Sequence, residues 1–82
     1  MKLHFTKHAM QRLAKRGLKP EWIEKIVAAP QLVEPDLEDA DLEHRIGVLP
    51  ELDNRVLRVI VSKSEPTRVI TAFPDHSMKG KL

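Results

Sequence analysis

The sequence predicts an α+β fold: an N-terminal helical hairpin packed on an antiparallel sheet of three to four strands. Three observations carry the prediction. Between Thr6 and Ala29, apolar residues recur at the three- and four-residue intervals of helices, with one interruption at Gly17. From Glu43 to Phe73 the pattern changes to β-branched runs separated by turn residues. Finally, 82 residues without a cysteine allow one modest core held by packing alone.

Each element has its own warrant. Met1 to Phe5 alternates apolar and polar residues, as a short edge strand or a lead-in that packs Phe5 would. Thr6 offers a hydroxyl to the free amides of a first helical turn, and the helix stops at Gly17, where a left-handed residue costs least. Within it His8, Arg12 and Arg16 fall four apart on one face, with Ala9, Met10, Leu13 and Ala14 on the opposing arc. Lys19 to Ala29 reads as the answering helix. Pro20 suits its first position, Trp22, Ile23, Ile26 and Val27 form the buried stripe, and Pro30 ends it.

Gln31 to Glu34 fits a short strand that Pro35 ends or confines to an edge. The acidic loop Asp36, Glu38, Asp39, Asp41 and Glu43 superficially resembles an oxygen-rich cation site, but it lacks the glycine and the spaced glutamate of a calcium loop. It reads as a solvated loop with no metal. Glu43 to Leu49, Val56 to Val61 and Arg68 to Phe73 are the three main strands, the first two separated by Pro50 and the turn-prone Asp53-Asn54. Residues 1–75 thus form the domain, and 76–82 a flexible C-terminal tail.

Charge is segregated along the chain. Residues 1–20 hold six Lys/Arg and no acid, residues 31–53 hold eight Asp/Glu against one Arg, and residues 54–82 return to six basic against two acidic. The net charge of +2 hides this polarity. A cationic surface of this kind suits phosphates or an acidic partner, although solubilising charge also segregates. The longest apolar runs fall far short of the ~20 residues of a membrane span, and no signal-peptide core opens the chain, so no membrane role and a cytoplasmic location are expected. Isolated glycines, absent cysteines and serines in turn contexts exclude phosphate-loop, thiolate-metal and nucleophile-elbow chemistry, and no cofactor is expected.

Arg58 is the odd residue of the sheet. It sits among Val56, Leu57, Val59, Ile60 and Val61, on the face opposite Leu57, Val59 and Val61. A charge there must reach water, an acid or a ligand phosphate.

The run His8-Ala9-x-x-Arg12-x-x-x-Arg16-Gly17-Leu18, the second helix with its proline exit, and the strands Val56–Val61 and Val69-Ile70-Thr71 together carry a resemblance. They resemble a small bacterial domain-of-unknown-function family with the signature H-A-x-x-R-x-x-x-R-G-[IL], which is distantly similar to the RelE/ParE and BrnT toxins. The resemblance spans residues 3 to 75 and implies a RelE-like fold. It also implies the toxin of a toxin–antitoxin pair, cleaving messenger RNA without a metal, with RNA or the ribosome as target and an acidic antitoxin-like protein as partner. The positions matching the family pattern are His8, Arg12, Arg16, Gly17 and Arg58.

Such cleavage needs a base, an acid and cations on the developing phosphorane. His8, His44 and Arg58 are the catalytic candidates; Arg12, Arg16, Lys15 and Arg68 are the phosphate-binding candidates. The alternative expectation is a non-catalytic binding module whose basic ridge docks an acidic protein or a nucleic-acid backbone.

Overall fold

The computed structural model describes residues 3–82. Met1 and Lys2, part of the expected lead-in, lie outside the described residues. The elements run β1 (Leu3–Phe5), α1 (Lys7–Arg16), α2 (Pro20–Ala28), β2 (Leu32–Pro35), β3 (Leu42–Leu49), β4 (Arg55–Ser62) and β5 (Thr67–Pro74). Short 3₁₀ turns occupy Pro50–Leu52 and His76–Met78.

The class is the expected α+β, with both helices at the N-terminal end, but the sheet differs in two ways. It has five strands in the order β1-β5-β4-β3-β2, and it is mixed. Strands β2 to β5 form the antiparallel meander, while β1 adds to β5 in parallel, with His4 opposite Arg68 and Phe5 opposite Val69. Three residues are too few for a periodicity to declare a strand's partner, so only the folded chain reveals this pairing. Pro35 is the last residue of β2, an edge strand, where a missing N–H costs no ladder bond.

Local chemistry sets the helix ends. The Thr6 hydroxyl accepts the Ala9 amide at 3.0 Å and also donates to the Val69 carbonyl at 3.3 Å, tying the start of α1 to β5. Gly17 closes α1 at φ 67°, and the Leu18 amide returns to the Leu13 carbonyl at 2.9 Å while its side chain is buried. At the end of α2 the Arg45 guanidinium donates to the Val27 carbonyl at 2.6 Å and to Glu43 at 2.8 Å, satisfying a carbonyl the helix leaves free.

The helices cover one face of the sheet. Ala9 and Leu13 of α1, and Ile23, Ile26 and Val27 of α2, pack with Leu57, Val59, Val61, Val69 and Ala72. Each such Leu, Ile or Val buried from water contributes about 1.5–3 kcal/mol. The apolar arc of α1 is narrower than its sequence suggests: Met10 is 45% exposed and Ala14 is exposed, and the buried residues of the helix are Ala9 and Leu13. Gly47 lets α2 approach β3, since a Cβ there would stand 3.0 Å from Ile26 Cδ1. The opposite face is partly apolar too, with Ile46 fully buried beside its cross-strand neighbours Leu32 and Arg58.

Candidate functional site

Two arrangements of polar side chains stand out, one on each side of the sheet. Because Leu57 and Val59 point to the helices, Arg58 between them projects from the open face. Its Nε donates to Asp75 Oδ2 at 2.7 Å, and its Nη1 donates to Glu34 Oε1 at 3.1 Å and to His44 Nδ1 at 2.7 Å. His44 and Glu34 reach it because they are register partners on β3 and β2. A guanidinium only donates, so Nδ1 accepts, and Nε2 carries the proton that His44 gives to Asp36 Oδ1 at 2.7 Å.

The acids are anchored in turn. Asp36 Oδ2 accepts the amides of Glu38 and Asp39, and Asp75 Oδ1 accepts the amide and hydroxyl of Ser77. The hydrogen bond from His44, then these amides, hold the Asp36 carboxyl below the usual carboxylate range. Asp75 is lowered first by Ser77 and then by Arg58. Burial opposes the charge of Arg58, but Asp75 and Glu34 more than offset it and raise its pKa. The result is a closed network: Arg58 is 14% exposed, two carboxylates face its guanidinium, and both nitrogens of His44 are occupied, one by Arg58 and one by Asp36. Such a site ties β2, β3, β4 and the C-terminal turn together; it neither attracts an anion nor presents a free base.

The helix side carries the opposite charge. His8, Gln11, Arg12 and Lys15 line a shallow groove on the outer face of α1, opposite its buried residues. Among the described residues, Arg12 and Lys15 enter no salt bridge. Arg16 leaves this ridge. It flanks the buried face of α1, and its Nη1 donates to Ala72 O at 3.1 Å and Thr71 Oγ1 at 3.4 Å, on β5 past its pairing with β1.

The structure therefore separates the sequence candidates. His44 and Arg58 meet at 2.7 Å, but His8 stands on the helix layer with the sheet between them, so the three do not form one centre. Arg68 is exposed on β5, paired with His4. Sequence reasoning missed Glu34 and Asp75 as partners of Arg58, and Asp36 as the partner of His44. The signal was the buried-strand arginine itself, which demanded acids without saying which.

A family described as a domain of unknown function, DUF4258, matches residues 5–74. No curated protein and no solved structure matches the chain. The matched span takes in α1 with its basic ridge, the whole of α2 to β4, and β5 up to its last residue, so the chain belongs to the DUF4258 family.

Proposed function

We propose that this protein is a small binding module that docks the phosphate backbone of RNA on the basic ridge of α1. The observation that carries this reading is the contrast between the α1 ridge and the Arg58 network. Arg12 and Lys15 stand exposed and, among the described residues, without carboxylate partners, whereas Arg58 is already neutralised by Glu34 and Asp75. An anion is drawn to the first and repelled by the second. An acidic antitoxin-like protein would compete for the same ridge.

The test is fluorescence anisotropy with a labelled RNA oligonucleotide at rising salt. Binding should weaken with salt by roughly 0.7 in log–log slope per phosphate engaged. Arg12→Ala/Lys15→Ala should lower that slope by about 1.4 without changing the melting temperature. Absence of RNA binding by the native chain at low salt would sink the proposal.

A second reading, metal-independent RNA cleavage by a RelE-like toxin, is favoured by one observation: His8, a proton carrier near neutrality, lines the same groove as Arg12 and Lys15. Kinship with the RelE/ParE and BrnT toxins belongs to this reading. Cleavage in the presence of a chelator, abolished by His8→Ala while binding persists, would establish it. Growth arrest on induced expression of the native chain, absent for that variant, is the cellular counterpart.

A further inference from the structure

We infer that the RNA path continues from α1 around the β1 edge onto the opposite face of the sheet, and that its ligand is therefore single-stranded. The inference rests on the RNA-backbone reading above and extends it to residues outside α1. Phe5 and Val69 are register partners that pack against the helix-side core. His4 and Arg68, one residue earlier in each strand and paired with each other, therefore project from the other face.

A notch at this edge joins the two sides. It is lined by His4, Thr6, Lys7, Pro66 and Arg68, so residues at the start of the helix and residues of the far sheet face share one depression. Lys7 is followed directly by His8, where the α1 groove begins. On the other side Arg68 also lines a second depression with Ser62, Lys63 and Ser64, whose one acid is Asp41. Among the described residues none of Lys7, Lys63 and Arg68 enters a salt bridge. Cations thus follow one another from Lys15 and Arg12 over the edge to Arg68 and Lys63.

The lining favours nucleic acid over protein. Protein partners seat on an apolar centre within a polar rim, whereas nucleic-acid interfaces are polar and positive throughout. Here the three linings hold five cations, Lys7, Arg12, Lys15, Lys63 and Arg68, against two apolar residues, Pro66 and Ala14. Curvature then selects the strand state. The molecule measures 30 × 25 × 22 Å, and a double helix, whose persistence length is ~150 base pairs for DNA, turns around a body of that size only at a large bending cost. A single strand follows the turn.

The experiment uses the full chain with a fluorescein-labelled 12-nucleotide oligouridine, a duplex RNA of equal length and a polyglutamate peptide. The variants are Arg68→Ala/Lys63→Ala and Arg12→Ala/Lys15→Ala, both on exposed side chains, with melting temperature confirming that each is folded. The expected result is single-strand binding weakened about tenfold by either pair, with the salt slope reduced by about 1.4 in each case, and weaker binding of duplex. If Arg12→Ala/Lys15→Ala weakens binding and Arg68→Ala/Lys63→Ala does not, the path around the edge is overturned and the ridge stands. Duplex bound as tightly as single strand also overturns it. Equal binding of polyglutamate and RNA overturns the nucleic-acid assignment. No binding of any RNA by the native chain overturns both proposals.

Discussion

Arg58 shows how one residue organises one face of the sheet. Its neighbours in sequence are all apolar, and its guanidinium, 14% exposed, is carried by Asp75, Glu34 and His44. Replacing it with leucine would leave Asp75, itself only 11% exposed, without its cation. Arg58→Leu is expected to destabilise the fold by about 2 kcal/mol, as for a lost hydrogen bond to a charged group. In a domain of this size that corresponds to a fall of roughly 10 °C in melting temperature, read by circular dichroism. RNA affinity should not change, because Arg58 lines none of the basic depressions along the proposed path. Arg58→Lys should recover only part of the loss, since an ammonium lacks the planar fork that reaches three partners at once.

At the scale of elements, α1 depends on its two ends. Thr6 both caps the helix and bonds the Val69 carbonyl, so Thr6→Ala removes a cap and a tie to β5 together. The expected cost is about 1 kcal/mol, measured by chemical denaturation, with faster amide exchange in the first turn of α1. These ends were legible in the sequence, as were Pro20 at the first position of α2 and the turn at Asp53 and Asn54 between β3 and β4, where the structure shows both residues left-handed. Side-chain chemistry acts there within a few residues of itself, so no distant partner is needed to read it. Strand β1 was not legible as a partner of β5, nor Arg45 as the group that satisfies the end of α2, because both partnerships join residues far apart in sequence.

For the molecule as a whole, the carboxylates gather around Arg58 on the open face of the sheet, while the cations that enter no salt bridge among the described residues lie along α1 and around the β1 edge. Asp36 and Asp75 are both held below the ordinary carboxylate range. A carboxyl whose folded pKa is depressed adds stability in full above its unfolded value, near 4, and loses it as pH falls through the folded value. Melting temperature should therefore be level from neutral pH to about 5 and fall below about 4. Asp75→Asn should lower the neutral plateau and flatten the acid limb, which a melting series across pH would display. Among the described residues no helix is long and apolar enough to cross a membrane.

The sequence alone determined the α+β class, both helices, the caps of α1, Pro20 at the start of α2, the cores of the main strands and the shared helix face of His8 and Arg12. Each of these follows from periodicity or from side chains acting on their own backbone. Tertiary structure decided the rest: that Arg16 turns to β5, that His8 is parted from His44 and Arg58, and that Asp75, 17 positions from Arg58, completes its network. Strand pairing and loop return set those distances. A sequence that records which residues are charged does not record which of them the sheet brings face to face.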